Sequence, residues 1–385
     1  MVLRALTILM LTAVPLRADP PSVVTDIPAV HSLTSALMAG VGEPSMLLKA
    51  GETPHNFALR PSQARDLQNA DLVVWMGHTL TPQLEEPVES LAADAKVMEL
   101  LSLTGLPLLE VRASAILDGD DHDDHSDEHG HDDHKDEDGH DDHAHDEHKD
   151  EDGHDDHAHD DHKDEDGHDE HAHDEHKDED GHDDHAHDDH KDKDGHDDHA
   201  SEDGHDDHDD HDHAVGGPDP HAWLDPKFAT MWAQEIAALL IATDPENADT
   251  YKSNLASLVG ELSLLDLDLR AMLADAKDKP FVVAHDALYY FESAYDLNAQ
   301  GALSNTDAAP VGPGRMAEMR AALEDGTIKC ALVEAGASRK GIEAVAPEGN
   351  LTFIEIDQVG MTLDAGPGLY SALMRGLADA VKACP

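Results

Sequence analysis

Leu72-Val73-Val74-Trp75 is an unbroken apolar run closed by Gly77, and Phe281-Val282-Val283-Ala284 repeats the pattern far down the chain, closed by His285-Asp286. A strand with one face in water alternates apolar and polar residues. A strand that is apolar throughout is buried on both faces, as in a parallel sheet covered by helices. These two runs are the centres of two such sheets.

Working outward from the first run, Val23–Ile27, Ser45–Leu48 and Val97–Glu99 read as further strands. His31–Ala39, Gln63–Ala70 (with Ser62 as N-cap) and Pro82–Ala92 read as the helices between them. Around the second run, a helix is expected from Asp286, then a Gly/Pro turn at Pro310–Gly314 and a helix at Arg315–Leu323. Strand Ala331–Val333, helix Arg339–Val345, strand Leu351–Ile356 and helix Leu369–Cys384 follow. Between the two sets, Asp225–Leu240 is helical. A long stretch from Pro245 to Ala276 carries Leu255, Leu258, Leu262, Leu265 and Leu269 at helical spacing. It reads as a connector between two lobes, as a core helix, or as both. The fold class is therefore α/β: two lobes, each a parallel sheet flanked by helices, joined by one long helix. A cleft between such lobes is a natural ligand site.

The chain has 385 residues, with 85 Asp and Glu against 25 Lys and Arg, and a formal charge of −60. The imbalance is local: Asp118–His213 holds 48 acidic, 6 basic and 27 His residues, leaving only five His elsewhere. So acidic a protein offers no basic face to a nucleic-acid backbone. Inside the acidic segment a fourteen-residue unit, GHDDHAHDEHKDED at Gly139–Asp152, recurs at Gly153, Gly167 and Gly181. With almost no apolar content it cannot offset the cost of ordering its backbone, so disorder is expected. Imidazole and carboxylate are ligand types of first-row transition metals. His140, His143, His145, His148, His154, His157, His159 and His162 represent the many weak sites expected there. Solubility alone would need no histidine.

Met1–Ala18 combines Arg4 with an apolar stretch, Leu6–Val14, too short to span a bilayer, and reads as a secretory signal peptide cleaved before Asp19. No cysteine near that point suggests a lipid anchor. Export favours a disulfide between Cys330 and Cys384, stapling the last helix to the core, over two unrelated thiols. The expected organisation is signal peptide 1–18, first lobe 19–117, His/Asp-rich disordered insertion 118–217, end of the first lobe 218–247, linker helix 248–279 and second lobe 280–385.

The five remaining histidines are His31, His55, His78, His221 and His285. His55 follows Gly51-Glu52-Thr53-Pro54, His221 stands in Asp219-Pro220-His221-Ala222-Trp223-Leu224-Asp225-Pro226, and His285 ends an apolar strand. All three stand at strand-to-helix junctions or helix starts, positions that point into an interlobe cleft. Asp357 ends the strand Leu351–Ile356 in the same way. Three imidazoles and a carboxylate form a set suited to Zn²⁺, although the spacing alone makes this only a candidate. Trp223 and Phe57 are expected to line the cleft, and His31 to cap or pack the first helix. His78 is placed at the cleft rim.

Five stretches carry a resemblance: Thr53-Pro54-His55-Asn56-Phe57-Ala58-Leu59-Arg60-Pro61-Ser62, Asn69-Ala70-Asp71-Leu72-Val73-Val74-Trp75, Asp219–Pro226, Val283-Ala284-His285-Asp286-Ala287-Leu288-Tyr289-Tyr290-Phe291 and Ile356-Asp357-Gln358-Val359-Gly360. In that order they resemble the ZnuA-type periplasmic zinc-binding proteins of ABC transporters, the cluster A-I metal receptors. The resemblance implies His55, His221 and His285 as zinc ligands, with Asp357 or water fourth, and a Cys330–Cys384 pair. Some zinc members have Glu directly before the first ligand; Pro54 excludes that here. Manganese-binding relatives tend to have a carboxylate where this chain has His285, which favours zinc. The implied role is a periplasmic monomer that delivers Zn²⁺ to a membrane permease driven by a separate ATPase. Two rivals are a zinc hydrolase using Asp286 as base and a periplasmic zinc buffer without a transport partner.

Overall fold

The computed structural model describes residues 19–49, 52–55, 57–113, 116, 217–305, 311–346 and 349–385, all within one compact unit. The signal peptide expected at 1–18, and the insertion with its eight representative histidines, lie outside the described residues.

The first lobe contains β1 (Val23–Thr25), α1 (Pro28–Met38), β2 (Ser45–Met46), α2 (Pro61–Gln68), β3 (Leu72–Trp75), α3 (Glu85–Leu91) and β4 (Lys96–Glu99). After the insertion come α4 (Pro226–Thr243) and the long α5 (Ala248–Leu273). The second lobe contains β5 (Phe281–His285), α6 (Tyr289–Tyr295), β6 (Ala299–Ser304), α7 (Pro313–Leu323), β7 (Cys330–Glu334), α8 (Lys340–Val345), β8 (Thr352–Ile356) and α9 (Leu369–Ala383).

Each pairing between these named strands is parallel, and the two sheets share one pattern: β2-β1-β3-β4 and β6-β5-β7-β8. The unbroken apolar runs lie at the centres of these sheets. In the second sheet the strand period of two is visible in the core. Phe281 and Val283 face one hydrophobic cluster, while Val282 faces another with Leu303, Met319 and Ile342. The first cluster runs continuously through both lobes. Its helical layer is α1, α4, α5 and α9, with Leu258, Leu262, Leu265 and Leu269 forming the buried stripe of α5. The long helix is thus connector and core element together. Cys330, at the start of β7, is bonded to Cys384, just past α9, with their Cα atoms 5.4 Å apart.

Three details correct the sequence reading. The N-cap of α2 is Arg60, with Pro61 in the first helical position, and Gln63 accepts from the Arg60 N–H. Ser62 is therefore inside the helix, because a proline already set for helical φ starts it earlier. The helix after β5 begins at Tyr289, after a short turn in which Ala287 N–H bonds the His285 carbonyl. Strand β6 was absent from the sequence reading. Ala299-Gln300-Gly301-Ala302-Leu303-Ser304 has no β-branched residue, and it is strand because β5 offers it a ladder.

In each sheet the strand order reverses beside the central pair, β1/β3 and β5/β7. In the first, Asp26 is buried just beyond β1, and its carboxylate accepts the N–H groups of Ile27 and Met76 at 2.8 Å. Burial pushes its pKa up from 3.8 to about 6, against the pull of those donors. The folded chain therefore holds this proton more tightly than the unfolded chain. The linked stability is complete below about pH 4 and is lost as pH rises through about 6, a change of about 3 kcal/mol. Urea unfolding at intervals from pH 4 to 7 checks this. Asp26→Asn reduces the total loss of stability across that range by about 3 kcal/mol; an unchanged pH dependence would refute the assignment.

Candidate metal centre

His55, His221 and His285 come from three different elements and meet in one place. His55 lies in the turn between β2 and α2. His221 opens a single 3-10 turn, Ala222–Leu224, directly before α4. His285 is the last residue of β5, at the reversal point of the second sheet. Ring centroids are 5.5 Å apart for His55 and His221, 5.3 Å for His55 and His285, and 5.0 Å for His221 and His285. One nitrogen from each ring lies within 4.8 Å of the other two. A tetrahedral ion with Zn–N bonds of about 2.0–2.1 Å draws such nitrogens to roughly 3.4 Å. A modest contraction would bring the three nitrogens to that spacing.

Two of the rings are oriented by carboxylates. Asp219 Oδ1 is 2.9 Å from His221 Nδ1 and also accepts the His221 backbone N–H. Glu334 Oε1, at the end of β7, is 2.7 Å from His285 Nδ1. An ionised carboxylate only accepts, so Nδ1 carries the proton in both rings. The lone pair is then on Nε2, the nitrogen that can face an ion. Burial alone would raise the Glu334 carboxyl. The neighbouring His285 and His221, with the Gln358 amide, outweigh it and hold Glu334 below the ordinary carboxylate range. Gln358 donates to the same Glu334 oxygen, and its carbonyl accepts from the Trp223 indole at 2.8 Å across the lobes.

The trio borders a cavity of about 470 Å³ whose walls also include Glu52, Trp223, Glu334, Glu355 and Asp357. Among the described residues no Lys or Arg side chain lines it, so its field favours a cation. Asp357 stands on this wall but outside the close trio. Its two oxygens accept the backbone N–H groups of Gly360, Met361 and Thr362 and the Thr362 hydroxyl. Gly360 makes that turn possible: its φ is +88°, and a Cβ there would meet Leu369 at 2.9 Å.

Trp223 lines the cavity, whereas Phe57 is buried in the hydrophobic core and is not on the cavity wall. His31 lies within α1 and bonds the Pro44 carbonyl at 3.2 Å. His78 is an exposed partner of Glu99 at 2.7 Å, away from the trio. Asp286, the base a hydrolase would need, is forked by the Arg112 guanidinium, with side-chain exposures of 3% and 17%. The sequence reading assigned no role to Asp219, Glu334, Gln358 or Arg112. Glu334 was open to the same strand-end logic that selected Asp357.

The chain matches the family described as zinc-uptake complex component A, periplasmic, over residues 23–384. A high-affinity zinc uptake system protein ZnuA from Paracoccus denitrificans is 38% identical over 373 residues, covering 97% of this chain and 94% of that protein. One from Brucella abortus is 29% identical over 369 residues, covering 96% and 93%. Among solved structures, a zinc-bound ZnuA deletion mutant superposes with a TM-score of 0.61 at 16% identity, covering 95% of this chain and 98% of its own. The periplasmic zinc binding protein TroA from Treponema pallidum superposes at 0.59 with 17% identity, covering 95% and 99%. These two structural likenesses bear on the fold.

Proposed function

We propose, for a chain that belongs to the ZnuA family of periplasmic zinc-uptake components, that His55, His221 and His285 take up one Zn²⁺ between the lobes. The chain is a high-affinity zinc receptor of the periplasm serving an ABC importer, and not an enzyme. Family membership supplies the partners, a membrane permease and its ATPase. Among the described residues no helix is long and apolar enough to cross a membrane.

The observation that carries the ligand assignment is the convergence of three imidazoles, two of them locked by carboxylates in the metal-binding tautomer. An all-nitrogen trio suits zinc better than the harder ions that prefer oxygen. While Asp357 holds the turn at residues 360–362, a water fills the fourth position. The receptor acts as a monomer. The His/Asp-rich insertion, with sites such as His140, His143, His145 and His148, binds zinc weakly and either passes it to the trio or senses when zinc is plentiful.

The test is zinc accumulation by cells lacking this chain under zinc scarcity. Uptake falls, returns with the wild-type chain, and does not return with a His55→Ala/His285→Ala double variant. Undiminished uptake without the chain would reduce it to a buffer.

A further inference from the structure

The residues on either side of the insertion form a strap lying across both lobes. Leu109 and Asp219 are joined by a backbone hydrogen bond, as are Val111 and Gly217, and Glu110 and Pro218 form an antiparallel bridge. His221, a metal-centre residue, follows directly on the returning side. The outgoing side docks on the second lobe. Tyr290 Oη of α6 accepts the Leu109 N–H at 2.9 Å and donates to the Asp219 carbonyl at 3.1 Å. Asn305, just past β6, donates to the Arg112 carbonyl at 3.1 Å.

At the centre of this contact is Arg112. Its Nε donates to Asp286 Oδ2 at 3.0 Å, Nη2 to Asp286 Oδ1, and Nη1 to Glu292 Oε2 at 2.7 Å. Its guanidinium carbon lies 4.1 Å from the centre of the Tyr289 ring. All three guanidinium nitrogens are engaged, and both carboxylates are buried. Asp286 adjoins His285, and Asp219, on the returning side, orients His221. Arg112 thus touches the turn that follows His285 directly, and is linked to the segment that leads into His221 through the Leu109–Asp219 and Val111–Gly217 pairs of its own strap.

We propose that Arg112 is a positioning residue of the metal centre: it fixes the strap that leads into His221 against the turn that follows His285, so that the two imidazoles hold one spacing before the ion arrives. This rests on the receptor function above. A guanidinium suits the task because its fork fixes direction as well as charge, whereas an ammonium supplies only a point charge. A chelating site whose donors are already placed spends less of its binding free energy on ordering them.

The experiment compares full-length wild type, Arg112→Lys, Arg112→Gln and His55→Ala, titrated with Zn²⁺ against a chromophoric chelator. Thermal unfolding of each metal-free protein and Co²⁺ absorption spectra are recorded alongside. The tight phase is identified as the one lost in His55→Ala. Both Arg112 variants are expected to weaken it by roughly ten- to a hundredfold, the usual size for groups that orient metal ligands. Arg112→Lys keeps the charge and unfolds near the wild-type temperature, yet its cleft Co²⁺ bands shift. Wild-type zinc affinity in a folded Arg112→Lys protein overturns the proposal. If Arg112→Gln does not fold, the charge-neutral Arg112→Met/Asp286→Asn/Glu292→Gln protein takes its place. Weakened binding there supports the positioning role, and wild-type binding refutes it. A wild-type chain with no tight phase overturns the receptor function itself, a result distinct from an unaffected Arg112 variant.

Discussion

Alanine at His55 abolishes the tight zinc phase of the full-length protein and leaves the fold intact. Zinc sites built from side chains are worth roughly 10–16 kcal/mol, so each of three or four ligand atoms carries about 4 kcal/mol, close to a thousandfold in affinity. His55 is the member of the trio that is only half-buried, in a turn rather than a strand, so its removal opens no core. His285→Ala and His221→Ala cost at least as much. Each also leaves a carboxylate, Glu334 or Asp219, without the ring it orients. Competition against a chelator of known affinity measures all three. Weak phases from the insertion persist in every variant. A tight zinc surviving in His55→Ala would remove that residue from the centre and, with it, the three-imidazole site.

Replacing Cys330 and Cys384 together with serine lowers the stability of the metal-free protein by about 4 kcal/mol, the value expected for opening a closed loop of 54 residues. The bond joins the first residue of β7 to the end of α9, whose Leu373, Met374, Leu377 and Val381 are buried. Without it the last turn of α9 is held by its packing and by Lys279, whose Nζ donates to the Lys382 and Cys384 carbonyls. Urea unfolding with and without reductant measures the difference. Loss of less than about 1 kcal/mol would mean that packing already fixes α9. Because the bond is remote from the trio, zinc affinity at moderate temperature is expected to stay within about twofold, the additivity expected of distant sites.

The central strands were legible because burial on both faces leaves an unbroken apolar run, as in Leu72–Trp75 and Phe281–Val283. Helix starts were less so. Apolar periodicity marks where a helix packs, whereas Pro28, Pro61 and Pro313 mark where it begins, a few residues earlier. Strand β6 was hidden because its pairing with β5, not its composition, makes it a strand. His285 and His221 stood out as rare residues at element ends. Their partners were assigned no role: Asp219 is only two positions from His221, whereas Glu334, although at a strand end, is 49 positions from His285 and only the fold joins that pair. Arg112 carried no signal in the sequence, because its ion pairs bridge separations of 174 and 180 residues.

The segments that flank the insertion pair with each other at Glu110 and Pro218. These flanks are therefore neighbours whatever lies between them. Closing a longer loop over the same gap is inexpensive, about 0.6 kcal/mol for each doubling of length. Tandem copies of a short DNA unit are prone to slippage during replication. Whole fourteen-residue units can thus be gained or dropped between generations while the flanking pair stays closed. Histidine dosage outside and coordination geometry inside are free to evolve at different speeds.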